Sequence, residues 1–194
     1  MVKQQFRGAQ RRARQLGVTL IESMVVVGIA GALAAIGGPN LNHFRDKAAV
    51  EAQFQSFDSA LRRARSEAMT RGELMTVCAM DPATAASQAP SCLPSGKDWS
   101  AGWLVFVDRG LRGDVGEGDV LVHVEPAPAN AGSIVGTQRY LTYRAGGELL
   151  SIAAHFRFLP PGQPAVDSPL PGSALVCVNK TGRARPAKDA RCLA

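Results

Sequence analysis

RQLGVTLIESMVVVGIAGALAAIGGPN, Arg14 to Asn40, sets a carboxylate, Glu22, near the start of an otherwise apolar run. An ionised side chain inside a membrane span costs about 2.5–3.5 kcal/mol on insertion scales, so a charge kept there calls for a partner or a task. The run itself, Val18 to Ile36, is 19 residues, long enough to span a bilayer with Thr19, Glu22 and Ser23 tolerated near one end. Before it, the first 17 residues carry Lys3, Arg7, Arg11, Arg12 and Arg14 and no acid. That basic leader belongs on the cytoplasmic side by the positive-inside rule. A basic stretch followed by an apolar run has the outline of a secretory signal peptide. Yet the small residue suited to cleavage, Gly17, precedes the apolar core and does not follow it. Cutting there removes the leader and leaves the hydrophobic helix on the mature chain. An uncleaved signal anchor accounts for the charge and the span and leaves Glu22 unexplained.

The order Gly17-Val18-Thr19-Leu20-Ile21-Glu22 resembles the processing site of type IV pilins and type II secretion pseudopilins, usually G|FTLIE, with Val18 where phenylalanine is usual. The resemblance implies that a prepilin peptidase cuts after Gly17 and methylates the new N-terminus at Val18. It also implies that Glu22 pairs with the N-terminal amine of a neighbouring subunit during filament assembly. The chain would then sit in the inner membrane as a single-pass protein with a periplasmic globular domain, before assembly into a pilus or pseudopilus.

Beyond the span, Gly37-Gly38-Pro39 interrupts the helical pattern, and proline there predicts a kink or local melting. The pattern resumes at Leu41 and runs to Arg71. Phe54, Phe57, Leu61, Ala64 and Ala68 recur at steps of three and four, an apolar stripe for a core. Arg62, Arg63 and Arg65 crowd the other side, as on a solvated face. From Glu73 the texture changes to short β-prone runs between Gly, Pro and Asp: Leu74–Met80, Gly102–Val107, Val120–Val124, Gln138–Tyr143, Ala153–Leu159 and Ala174–Asn179. A long helix followed only by strands predicts an α+β fold, with antiparallel sheet packed on the amphipathic half of the helix. Loops Asp81–Asp98 and Pro160–Gly172 read as surface segments.

Four cysteines, Cys78, Cys92, Cys177 and Cys192, all follow the apolar run, an even number that suits two disulfides in an oxidising compartment. No pair has the C-x₂-C spacing of a zinc knuckle. Three connectivities are open; nearest-neighbour pairing is expected because it ties each variable loop to an adjacent strand. Each such closure contributes roughly 3 kcal/mol in the chain-entropy model. Asp108, Asp114, Glu117 and Asp119 share a Gly-rich loop but lack the order of a calcium loop, so no metal is expected. His43, His123 and His155 are scattered, and no serine or cysteine sits in a nucleophile elbow. Neither enzymatic activity nor a cofactor is expected.

Trp99-Ser100-Ala101-Gly102-Trp103-Leu104-Val105-Phe106-Val107-Asp108 resembles the W-x-x-G-W-x-V-F-x-D block of the FimT/GspH group, minor pilins and minor pseudopilins. The block reads as core and turn. The end of the chain carries the other signal. Residues 18–179 hold 12 basic and 15 acidic side chains, whereas Lys180, Arg183, Arg185, Lys188 and Arg191 face only Asp189 in the last 15. If extended, Arg183 and Arg185 project from one side of Ala184, and two guanidinium forks side by side suit successive phosphates. A Cys177–Cys192 bridge would hold the segment as a loop and lower its ordering cost on binding.

Gly182-Arg183-Ala184-Arg185 is similar to the G-R-x-R motif of FimT-type minor pilins, whose tail binds DNA in natural transformation. The resemblance puts DNA contact on Arg183 and Arg185, with Gly182 shaping the turn; charge alone adds Lys180, Lys188 and Arg191. With few aromatic side chains in the tail, binding is expected to be backbone-directed, sequence-tolerant and salt-sensitive. The resulting organisation is a leader over 1–17, a membrane and filament-core helix over 18–38, an amphipathic half over 39–72, a β-rich domain over 73–179 and a basic tail over 180–194. The expected function is a minor type IV pilin that binds extracellular DNA for uptake. The alternative is a GspH-like minor pseudopilin or pilus-assembly subunit with no DNA role. The two share Glu22, the helix and the fold, and differ only in the tail.

Overall fold

The structure, a computed structural model, describes residues 17–110, 113–128 and 131–187 together with Cys192, and no side chain over 34–43. The leader through residue 16, the His43 side chain, Lys188 and Arg191 therefore lie outside what is described. One helix, α1 (Leu20–Arg71), is followed by β1 (Met75–Ala79), β2 (Gly102–Val107), β3 (Val120–Pro126), β4 (Ile134–Gly136), β5 (Tyr140–Tyr143), β6 (Ala154–Phe158), β7 (Ala174–Val178) and β8 (Ala184–Pro186). The strands form two antiparallel sheets in the orders β3-β2-β1-β5 and β4-β6-β7-β8. This is the α+β arrangement expected, with the strands divided between two sheets. Two compact units divide the chain between Leu41 and Asn42.

In the first unit, α1 starts on a cap. The Thr19 hydroxyl accepts the Glu22 N–H at 3.3 Å. Thr19-Leu20-Ile21-Glu22 has the order of a capping box, and a carboxylate in the first turn faces the positive end of the helix dipole. From residue 17 to residue 33 every side chain is exposed. The helix is continuous through Gly37-Gly38-Pro39, so of the kink or local melting expected there the melting does not occur. Proline withholds one backbone donor, and the hydrogen bonds of neighbouring turns carry the helix past it. Among the described residues, no helix is long and apolar enough to cross a membrane; the run continues into positions 34–36, whose side chains are not described.

The second unit has a core of its own, for among the described residues every buried apolar side chain lies at Val50 or later. Phe57, Leu61, Ala64 and Ala68 are buried as the stripe predicts, Phe54 is half-buried, and Val50 and Ala60 join them. These helical residues share one cluster with Val77, Val105 and Leu141 of the first sheet and Phe156, Phe158 and Val176 of the second. Phe57 sits at its centre, with ring centroids 5.5 Å from Trp99, 5.3 Å from Trp103 and 4.7 Å from Phe156.

A smaller cluster, Cys78, Met80, Cys92, Leu104 and Phe106, covers the reverse face of the first sheet. Both faces of β1 and β2 are therefore buried, which explains why neither strand alternates. The W-x-x-G-W block packs as core and turn. Trp99 donates its indole N–H to the Gln138 carbonyl at 2.9 Å. Gly102 has φ +108°, and a Cβ there would lie 2.1 Å from the Glu125 carbonyl oxygen.

Cys78 is bridged to Cys92 and Cys177 to Cys192, the nearest-neighbour pairing. The six expected strands form with ends shifted by one or two residues, and β4 and β8 are additional. β8 pairs with β7, so residues assigned to a basic tail include an edge strand of the second sheet.

Candidate functional site

The hairpin between β7 and β8 is shaped by Asn179 and Gly182. The Gly182 N–H donates to the Asn179 carbonyl at 2.8 Å, and the Asn179 N–H to the Arg183 carbonyl at 3.1 Å. The Asn179 side-chain oxygen accepts from the Thr181 hydroxyl at 2.7 Å and the Arg183 N–H at 3.0 Å. Gly182 has φ +76°, the left-handed conformation that closes such a turn. Its carbonyl accepts the Tyr143 hydroxyl at 3.2 Å. Tyr143 is buried on β5, and burial pushes its phenol pKa up, so it stays a donor. The hairpin is thereby fastened to the other sheet.

Along β8, Ala184 packs against the core. Alternation then turns Arg183 and Arg185 the other way, and both are exposed. Arg185 lies opposite Cys177 in the register, and directly opposed residues share a face. The Cys177–Cys192 bridge therefore brings Cys192 to the face that carries Arg185. Lys180 is exposed in the turn itself.

The other bank is helical. Asp58, Leu61, Arg62 and Arg65 of α1 line a groove of about 490 Å³ with Gly182, Arg183, Ala184 and Arg185. Arg62 Nε reaches Asp58 Oδ2 at 2.7 Å, while 78% of the Arg62 side chain is exposed. The Arg65 Nε is buried without a hydrogen-bond partner among the described residues. Ion pairs among the described residues do not include Arg65, Arg183 or Arg185. One acidic residue thus shares the lining with four arginines, a charge balance suited to an anion. Arg63 takes a different direction, its Nη1 lying 3.5 Å from His123 Nδ1 on β3. The three arginines are not one solvated face: two line the groove and one turns away. Sequence spacing put Arg62 and Arg65 on one side of the helix, but no signal placed the hairpin beside them.

The acidic loop is occupied internally. The Arg139 fork, at 2.8 and 3.0 Å, holds Asp114 below the usual carboxylate range. Asp119 accepts the backbone N–H groups of Arg109, Gly110 and Gly116, and Asp108 accepts the Thr76 hydroxyl at 2.6 Å. Among the described residues no three His, Cys, Asp or Glu side chains are placed to share a metal ion. His123 meets Glu125 at 3.1 Å, and His155 meets Asp167 at 3.0 Å.

The fold and this groove define a pilin-like α+β subunit with a basic face and no catalytic constellation among the described residues. Residues 53–187 match the family described as type II transport protein GspH, and the chain belongs to that family. It is a minor pilin or pseudopilin of a type II secretion system or type IV pilus, a structural and non-enzymatic protein. The match begins within α1, so Glu22 lies before it. The structure is similar to two crystal forms of the type IV minor pilin FimU of Pseudomonas aeruginosa PAO1, each at 17% identity. One comparison covers 74% of this chain and 94% of FimU with a TM-score of 0.47; the other covers 76% and 91% with 0.49. No curated protein matches the chain.

Proposed function

We propose that this chain is cleaved after Gly17 and enters a type IV pilus or type II pseudopilus through the helix that begins at Leu20. The observation carrying this reading is an exposed helical surface from residue 20 to residue 33, apolar but for Glu22 and Ser23 in its first turn. Before assembly the apolar run lies in the inner membrane. In the filament, Glu22 answers the amine of a neighbouring subunit's Val18. The cap is local and would survive in either setting, because Thr19 stays on the mature chain. Glu22→Ala should leave the protein in the membrane fraction and lower its recovery in sheared filaments at least tenfold. Unchanged recovery would remove the amine pairing and leave Glu22 as a capping residue alone.

A second reading adds DNA capture, and the observation that favours it is the groove lined by Arg183 and Arg185, which make no ion pair among the described residues. The ligand is a phosphodiester backbone, read without regard to sequence. Residues 42–194, which hold the whole described core, should bind a labelled duplex in a salt-dependent manner. Arg183→Gln/Arg185→Gln should lose that binding while keeping its circular dichroism. Wild-type protein that fails to bind even at low salt would leave the structural role alone.

A further inference from the structure

We infer that Arg62 and Arg65 of α1 form the second half of the DNA contact, clamping one stretch of backbone against Arg183 and Arg185. The inference rests on the DNA-capture reading and extends it to residues outside the G-R-x-R motif. Arg62 and Arg65 are three apart on a helix, hence neighbours on one face. Arg183 and Arg185 are two apart in an extended segment, about 6.8 Å along the strand, comparable to the step between phosphates of one nucleic-acid strand. Two pairs of arginines, one from the helix and one from the hairpin, therefore line one groove with Leu61 and Ala184.

Asp58 is answered by Arg62, so it does not cancel the charge of the other three. Arg65 is only partly exposed and its Nε has no hydrogen-bond partner among the described residues. Its stem packs where Gly147 leaves room: a Cβ on Gly147 would lie 3.0 Å from that Nε. A half-buried arginine facing an open groove, with no described carboxylate on it, suits an anionic ligand arriving from outside. Both banks lie in the second unit, and the Tyr143–Gly182 hydrogen bond holds the hairpin in place before any ligand binds.

The test is a fluorescence titration of a short labelled duplex with residues 42–194 at about 50 and 200 mM salt, the range over which phosphate contacts are lost. Arg62→Gln/Arg65→Gln should weaken binding about tenfold at the lower salt and flatten the log–log salt slope by about 0.9 for each contact removed. Arg62→Gln alone, at an exposed side chain, should give part of that loss with unchanged thermal stability. It keeps the inference testable if Arg65→Gln disturbs the fold. Arg63→Gln removes the same charge outside the groove and should bind within twofold of wild type.

A double helix variant that binds like wild type, beside an Arg183→Gln/Arg185→Gln protein that does not, would overturn the inference and leave the hairpin reading standing. Equal losses from Arg62→Gln and Arg63→Gln would overturn it too, because net charge would then be the cause. Wild-type protein that binds no duplex would overturn both readings. Displacement of the duplex by poly-glutamate at equal charge would assign the groove to an acidic protein surface and overturn the DNA clamp.

Discussion

At Gly182, motif and fold make the same demand for different reasons. In the sequence it is the first residue of Gly-Arg-Ala-Arg, where a glycine permits a turn. In the structure its φ is +76°, and a Cβ would stand 2.5 Å from Tyr143 Cε1 and 2.8 Å from the Gly147 carbonyl oxygen. The left-handed conformation costs a non-glycine residue about 1–2 kcal/mol, and forcing atoms into a packed site adds roughly 1–3 kcal/mol. Gly182→Ala should therefore destabilise residues 42–194 by about 3 kcal/mol, read from the denaturation midpoint at unchanged m-value. A loss below about 1 kcal/mol would mean that Tyr143 yields and that the turn is less constrained than its packing implies. The glycine of the motif is thus required by the fold whether or not DNA binds. Tyr143 was the unseen half of that constraint, since nothing in YLTY announces a partner 39 residues later.

Among the elements, the legible ones are those whose pattern is set by burial. The helical stripe and the six longer strands each carry several apolar residues, and all form where expected. β4 and β8 were not legible: each has three residues, one contains Gly136 and the other Pro186. Both are edge strands of one sheet, where glycine and proline are tolerated and no apolar repeat is needed. That is why the arginines of β8 read as a tail.

The Pro160–Gly172 loop was legible as surface, but its fastening was not. Asp167 reaches back to β6, with Oδ2 3.0 Å from His155 Nε2 and Oδ1 accepting from Arg157 Nε at 3.0 Å. The His155 hydrogen bond, opposed by desolvation and aided by Arg157, holds the Asp167 carboxyl below the usual range. A depressed carboxyl stabilises the fold above its unfolded pKa, about 3.9, and that contribution fades as pH falls through the lower folded value. Asp167→Asn should therefore lower stability at neutral pH and flatten the acid limb below about pH 4. The effect should be modest, because the carboxylate is partly exposed and screened. A variant whose acid limb overlays the wild type would mean that this latch contributes nothing to acid unfolding.

Across the whole molecule, the two disulfides close loops of nearly equal length and stand in unlike surroundings. Cys78 and Cys92 are 14 residues apart, and Cys177 and Cys192 are 15 apart, so the chain-entropy contribution of each is about 3 kcal/mol. Sequence arithmetic therefore ranks them as equals, and only burial separates them. Cys78 and Cys92 are buried with Met80, Leu104 and Phe106 against the reverse face of the first sheet. Cys192 is exposed and Cys177 is half-buried on β7, next to the edge strand β8. A thiolate must reach a sulfur to exchange with it, so access decides the order of reduction. Under rising dithiothreitol in native buffer, alkylation read by mass spectrometry should label Cys177 and Cys192 first. Cys78 and Cys92 should react only as the protein unfolds. The first step should leave the helical and sheet signals intact. Early labelling of Cys78 and Cys92 would contradict the burial that makes their bridge part of the core. Simultaneous labelling of all four would mean that the hairpin and the core open as one unit.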